Sequence, residues 1–337
     1  MQSLALRGIY DTFEAIQKMR IAAENRLRAI IQNYDEDHRE RQVVMEHVKK
    51  IKEFEKVVTK QAEEILKDDL IYNKFLLKVN GINVKTSLRL LSLGLDIERE
   101  LSDWNAYFGL VPIYWACECE HGHKILLPAD PFKTGAACIM QKKVDEDKEL
   151  SEDIDGSVTV ITRPIMEKCG GKIVKAEPMP PRRIKGYFGF WNKRAKKTFY
   201  IVTDYWVKNP NKSFYGRIFK QERERLMSRP DAKDKYYKII KKDGKEVRVA
   251  SRKATLSARR KSFKIFLAHL YQAWRELLGM EYRMPYAFEY LNHKDFIDWK
   301  EAIKIEEALR SKNSKKKNVG VASRLNELCE VSNTNAK

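Results

Sequence analysis

Leu76-Leu-Lys-Val79-Asn-Gly81-Ile82-Asn83-Val84-Lys85-Thr86-Ser87-Leu88 is the stretch on which the reading of the fold turns, with its continuation to Trp104-Asn-Ala-Tyr107-Phe108-Gly109-Leu110-Val-Pro112. Its first half has the layout of a helix-hairpin-helix: a helix end, a tight turn carrying Gly81, a small apolar plug, and a second helix opening on Lys85 and Thr86. Such a turn aims backbone N–H groups and a helix N-terminus outward, where a phosphate can sit. Asn83 stands where a second glycine is usual, and asparagine enters the left-handed region more readily than most residues. The same letters also fit an ordinary helical turn with Gly81 as its C-cap. On the first reading Gly81, Asn83, Lys85, Thr86 and Arg89 are candidate nucleic-acid contacts.

Upstream, from Tyr10 to Val79, there is neither Gly nor Pro, and Glu, Lys, Arg, Ala, Ile and Leu dominate, a composition that favours long helices. Apolar residues recur at Phe13, Ile16, Met19, Ala23, Leu27 and Ile30, then at Val44, Val48, Ile51, Phe54, Val58, Ala62 and Ile65, close to heptad spacing. The polar run from Asn33 to Arg41 breaks the stripe. The spacing predicts an antiparallel helical hairpin or a dimeric coiled coil over 1–72, followed by the helix-hairpin-helix segment over 73–112.

Residues 113–249 are mixed and turn-rich. Strand-like runs fall at Ile113 to Leu127, Ser157 to Thr162, Lys185 to Trp191 and Thr198 to Val207. The last two flank Asn192-Lys193-Arg194-Ala-Lys196-Lys197, which reads as a β-hairpin with a basic tip. Tyr187, Phe188, Phe190, Trp191, Phe199, Tyr200, Tyr205 and Trp206 sit beside that tip, placed either to stack bases or to build a core. Asp145 to Asp155 reads as an acidic solvated loop. From Ser257 to Leu277 the pattern is an amphipathic helix with Phe263, Phe266, Leu267, Leu270, Trp274 and Leu277 buried and with Arg259, Arg260, Lys261 and Lys264 near its start. It belongs to a C-terminal helical part over 250–311, and 312–337, lysine-rich at first, reads as a disordered tail.

Charge is distributed unevenly. The 337 residues carry 66 Lys+Arg against 47 Asp+Glu, a formal net charge of +19, yet Gly171 to Arg275 alone holds 30 Lys+Arg against 8 Asp+Glu. A polyanion is the partner such a segment suits, through its phosphates. No window approaches the run of apolar residues a membrane span needs, and no signal-peptide layout opens the chain, so the sequence predicts a soluble, cytoplasmic protein without membrane partners. Five cysteines without framework spacing argue against a disulfide-stapled fold.

One constellation is dense enough for chemistry: Cys117-Glu-Cys119-Glu-His121-Gly-His123, with Cys138 and the Cys169-Gly170-Gly171 knuckle further on. Alternation puts the first four on one strand face, too far apart along a straight strand to share an ion. A bend at Gly122, or Cys138 and Cys169 folding back, completes a structural zinc site from Cys117, Cys119, His121, His123, Cys138 and Cys169. The alternative is reduced buried cysteines beside a surface histidine pair. Cys117 near an imidazole is also the candidate catalytic nucleophile. A strand with the spaced carboxylates of a two-metal nuclease is not visible.

The block from Gly81 to Pro112, ending in Tyr107-Phe-Gly109-Leu110-Val-Pro112, resembles the C-terminal domain of the IS-one-ten class of insertion-sequence transposases. Asn25-Arg26-Leu27 looks like that family's coiled-coil element and Arg259-Arg260-Lys261 like its closing basic helix. The resemblance spans about 10–115 and 250–280. It implies DNA binding, transposition or recombination, and a homodimer through the coiled coil. The family carries a RuvC-like domain with four acidic metal ligands before the coiled coil, where this chain begins, and a catalytic Ser after the Gly-Leu-x-Pro signature, where this chain has Ala116 and Cys117. The expectation is therefore an α+β, mainly α protein: an N-terminal helical hairpin, a helix-hairpin-helix, an inserted β-rich basic subdomain and C-terminal amphipathic helices. It is expected to bind DNA, or RNA, as a derived or truncated transposase relative. A catalytically inactive structural or accessory protein of a mobile element, virus or plasmid, that binds DNA or RNA nonspecifically is the alternative.

Overall fold

The computed structural model describes residues 2–36, 38–111, 114–127, 129–152, 158–179, 185, 188–189, 191–242, 245–282 and 297–312. The chain is mainly helical with small sheets. In chain order it forms α1 (Gln2–Ile31), α2 (Arg39–Leu66), α3 (Leu70–Lys74), α4 (Val84–Leu91) and α5 (Leu101–Tyr107), then β1 (Tyr114–Cys119), β2 (Lys124–Leu127) and α6 (Pro131–Thr134). There follow β3 (Gln141–Glu152), β4 (Val158–Lys168), β5 (Ile173–Met179), β6 (Phe188–Gly189), α7 (Lys193–Lys208), α8 (Phe214–Met227), β7 (Tyr237–Lys242), β8 (Lys245–Ala250), α9 (Arg252–Leu277) and α10 (299–312). Among the described residues no helix is long and apolar enough to cross a membrane. Two compact units divide the chain: residues 1–101 with 197–337, and residues 102–196.

In the first unit α1 and α2 make an antiparallel hairpin. Leu6, Tyr10, Phe13 and Ile16 are buried on one helix and Val48, Val58, Ala62 and Leu66 on the other, and ion pairs Arg20–Glu55 and Lys52–Glu24 join the two. The core of this unit is aromatic. Phe75 stacks on Phe266 with ring centroids 5.7 Å apart, and Trp206 lies 5.0 Å from Tyr215 and 5.4 Å from Phe266. Edge-to-face and offset pairs of this kind add to the burial of the rings themselves. Buried polar groups pin the helices to one another. Glu306 on α10, wholly buried, accepts from the Ser213 hydroxyl at 2.7 Å, the Phe214 N–H at 3.0 Å and the Asn80 N–H at 3.3 Å. Trp206 Nε1 donates to the Asn80 carbonyl, and Arg310 donates to the Asn80 side chain and to the carbonyls of Leu77 and Lys78.

The second unit is built on a sheet of order β5-β1-β2-β6, antiparallel except for the β2–β6 pair. A separate antiparallel ribbon, β3–β4, runs from Gln141 opposite Lys168 to Glu152 opposite Val158. The acidic stretch expected to be a loop is therefore strand from Asp145 to Glu152. Its partner, rich in β-branched residues from Val158 to Ile165, supplies the strand propensity that the acidic side lacks. The expected basic β-hairpin at 185–207 is also corrected, since Lys193 to Lys208 is one helix. Ala195, Thr198, Phe199, Val202, Thr203 and Trp206 are its buried positions, recurring three and four residues apart as only a helix puts on one side. Asn192 caps it, its side-chain oxygen accepting from the N–H groups of Arg194 and Ala195. From 313 onward the expected tail lies outside the described residues, as do Tyr187 and Phe190.

Candidate metal centre and basic surfaces

Four side chains converge in the second unit. Ligand atoms of Cys119, His123, Cys138 and Cys169 all lie within 4.8 Å of one another, with the three cysteines buried and the histidine half-buried. Two tight turns bring them together. The β1–β2 turn reverses at Gly122, whose φ of 75° is open to glycine at no steric cost, and closes with Cys119 N–H donating to the His123 carbonyl at 3.1 Å. Cys119, the last residue of β1, sits at a register shift against β5. The second pair comes from the root of the β3–β4 ribbon, Cys138 ahead of it and Cys169 just after it. Cys138 N–H donates to the Gly171 carbonyl at 2.9 Å, and Cys169 N–H to the Met140 carbonyl at 2.7 Å.

Three thiols and an imidazole are a donor set that structural zinc takes in tetrahedral geometry. Their polarity is already arranged for it. Burial works against ionising Cys119, but the N–H groups of His123 and His121 and the thiols of Cys138 and Cys169 outweigh it and hold this thiol below its ordinary value. Cys138 is pushed up to about 12 by burial, only partly offset by the N–H of Met140, because a second thiolate beside Cys119 is disfavoured without a cation. A divalent ion reverses that balance and takes the thiols as thiolates.

Two of the six expected ligands stay outside the set. Cys117 shares a strand face with Cys119, as alternation requires, but it is wholly buried among Ile125, Leu127 and Ala176, with its thiol 3.3 Å from the Trp115 carbonyl. Burial raises its pKa to about 11, so it is a neutral, enclosed thiol, and the expectation that it serves as nucleophile or ligand is corrected. His121 is exposed at the rim, its Nδ1 3.2 Å from the Cys169 sulfur. There it supports a ligand from outside the four-atom set.

The helix-hairpin-helix residues are placed differently from the expectation. Gly81 has φ 94°, and a Cβ built there would fall 2.1 Å from the Tyr205 ring, so the turn is packed against α7 at this point. Asn83 is the N-cap of α4, accepting from the Thr86 N–H and hydroxyl at 3.0 and 3.1 Å. Lys85 Nζ lies 2.6 Å from Glu55, which also takes Arg20, and over the Phe13 ring. Thr86 and Arg89 are buried, and the Arg89 guanidinium lies over Tyr10. Thr86 and Arg89 are therefore internal packing residues and not surface contacts. The physical reason is that α4 has apolar neighbours on two sides, the α1–α2 hairpin and the turn after α3, which leaves little of it for solvent.

The basic candidates of α7 occupy its first turn. Lys193 is exposed, Lys196 lies 4.2 Å over the Trp191 ring, and Lys197 pairs with Glu14. Arg194 is half-buried. On α9, Arg259 pairs with Asp204 and lies over Tyr200, and Lys261 pairs with Glu222. Arg260 and Lys264 are half-buried, with the Lys264 pKa lowered by burial and then by Arg260. A basic element that the sequence reading missed is the β7–β8 ribbon with exposed Lys238, Lys241 and Arg248. Its signal is Asp243-Gly244 between alternating runs, a two-residue hairpin signature. The chain matches no protein-family model and no curated protein.

Proposed function

We propose that this protein binds nucleic acid, DNA in the first place, as a transposase-like protein acting in DNA transposition or recombination. A structural zinc ion at Cys119, His123, Cys138 and Cys169 holds its second unit together. The observation that carries the reading is charge placement. Residues 171–275 hold a surplus of 22 positive charges, and exposed cations lie on α7, on α8 and along β7–β8. Neutralising phosphates with such groups releases counterions, so binding weakens linearly in log salt by about 0.9 for each phosphate contacted on duplex DNA. The chemistry a zinc ion supplies here is that of a crosslink: it fixes the β1–β2 turn to the root of the β3–β4 ribbon.

Self-association through the α1–α2 hairpin belongs to the same proposal. Val43, Phe54, Val57 and Ile65 on α2 are each 40–54% exposed, an apolar stripe at helical spacing. Phe54→Glu with Val57→Glu is expected to convert a dimer to a monomer in analytical ultracentrifugation.

The deciding experiment is fluorescence anisotropy of labelled duplex DNA and duplex RNA titrated with the purified protein over a series of salt concentrations. The expected result is binding whose log affinity falls with a slope of several units. A protein that binds neither duplex at low salt sinks the proposal, and its positive charge then serves solubility in a structural role.

A further inference from the structure

β7 and β8 form a ribbon that stands apart from the other sheets. Its root is fixed, with Tyr237 and its partner Ala250 packing on a small core of Leu226, Ala232, Tyr236 and Ala254. Beyond the root its described side chains, 238–241 and 246–249, are all exposed. Ile239 faces Arg248 and Lys241 faces Glu246 on one side of the ribbon, while Lys238 faces Val249 and Ile240 faces Val247 on the other. Ile239, Ile240, Val247 and Val249 are all 41–45% exposed, so neither side is laid down on the protein. A lone two-stranded ribbon is marginal in water. One with β-branched side chains open on both faces is shaped for something that encloses it.

Charge identifies the occupant. Residues 229–253 carry ten Lys+Arg against four Asp+Glu. Lys238 and Lys241 are exposed on opposite faces, and the Arg248 guanidinium lies over the Tyr237 ring near the root. Lysines along both strands oppose the addition of a further protein strand. Six-residue strands reach about 20 Å, and a two-stranded ribbon is one of the elements that the B-DNA major groove, about 12 Å wide, admits. The major groove of A-form RNA is too narrow for it.

We propose that the β7–β8 ribbon enters the major groove of duplex DNA. Lys238, Lys241 and Arg248 neutralise phosphates on either side, and Ile240 and Val247 contact base edges. The inference rests on the nucleic-acid reading above and assigns it an element. The test compares the wild type with Lys238→Ala/Lys241→Ala, with Lys238→Ala/Lys241→Ala/Arg248→Ala, and with Ile240→Ser/Val247→Ser, on 30-base-pair DNA and RNA duplexes of one sequence. Melting temperatures serve as the folding control. The salt slope on DNA is expected to fall by about 1.8 in the double lysine variant and about 2.7 in the triple, at about 0.9 for each lost phosphate contact. The serine pair should weaken DNA binding at an unchanged slope, and losses on RNA should be smaller than on DNA. A wild type with a steep slope and a triple variant with the same slope excludes the ribbon and leaves the nucleic-acid reading standing. Equal losses on the two duplexes overturn the groove assignment. No binding by the wild type overturns both. Unchanged DNA binding with altered sedimentation of the triple variant overturns the groove reading in favour of strand pairing with another chain.

Discussion

Replacing Cys138 by serine takes one of three thiols out of the proposed zinc centre and leaves the sheet's apolar contacts nearly intact. The four ligand atoms lie within 4.8 Å of one another. Tetrahedral zinc with bonds of about 2.3 Å to sulfur sets neighbouring sulfurs about 3.8 Å apart, so the ligands close by about 1 Å at most to take the ion. Structural zinc sites bind with about 10–16 kcal/mol of apparent free energy near neutral pH. An equal share for each of four ligands is about 2.5–4 kcal/mol, which is a loss of about two to three powers of ten in affinity. The assay is competition against a chromophoric zinc chelator, with metal content measured by mass spectrometry. The wild type should carry one zinc per chain, and Cys119→Ser, His123→Ala, Cys138→Ser and Cys169→Ser should each release it to the chelator. Cys117→Ser and His121→Ala are the discriminating controls, since both residues are close but outside the four-atom set, and both variants should keep the metal. Zinc lost equally from Cys117→Ser and Cys138→Ser refutes the assignment of these four residues, and a wild type purified and reconstituted without bound zinc refutes the centre.

Other outcomes follow from the first unit. Gly81→Ala forces a Cβ into the Tyr205 ring at a left-handed φ of 94°; positive-φ strain of about 1–2 kcal/mol and overpacking of about 1–3 kcal/mol should lower unfolding stability by about 2–5 kcal/mol in urea. A loss below about 0.5 kcal/mol shows the packing reading to be wrong. His269, held between the Tyr215 hydroxyl and the Ile297 carbonyl, has its pKa lowered from 6.5 to about 4 by burial. The unfolded chain binds the proton first, so this contribution is complete above about pH 6.5 and declines by about 3 kcal/mol as pH falls toward 4. His269→Phe should flatten that window of a stability-against-pH curve. Glu306 runs the other way, because burial raises its pKa above the ordinary 4.5 in spite of the hydrogen bonds it accepts. Its contribution is complete below pH 4.5 and falls as pH rises through the folded value. Glu306→Ala leaves the Ser213 hydroxyl and two N–H groups without this acceptor and should cost at least about 2 kcal/mol in thermal unfolding.

The α1–α2 hairpin was legible because its signal is long, with apolar residues at helical spacing from Phe13 to Ile30 and from Val44 to Ile65 on the two sides of one polar break and no Gly or Pro between Tyr10 and Val79 to confuse it. α7 was not, because Thr198, Phe199, Tyr200, Ile201 and Val202 have strand propensity and two of its six buried positions, Thr198 and Thr203, are polar and drop out of an apolar pattern; tertiary packing such as that of Phe199 against Phe263 decided the matter. All four proposed zinc ligands stood among the six residues picked out by type, but excluding Cys117 and His121 required knowing where the β1–β2 turn falls and which strand ends adjoin it. Arg89 was misplaced for a related reason. An arginine on a helix reads as surface until a ring such as Tyr10 is known to cover it.

The position of Cys138 and Cys169 on either side of the β3–β4 ribbon has a consequence for chain entropy. A metal bound there closes the loop between them at its neck, so the ribbon hangs from a fixed point whatever its length. Closure cost grows only logarithmically, and cutting the loop to a quarter of its length would relieve just about 1.2 kcal/mol. Stability therefore exerts almost no pressure on how far the ribbon extends. Its length is free to be set by the distance to whatever it reaches, and the segment between the two cysteines is the place in this chain where insertion, deletion or grafting of a different hairpin should be tolerated best.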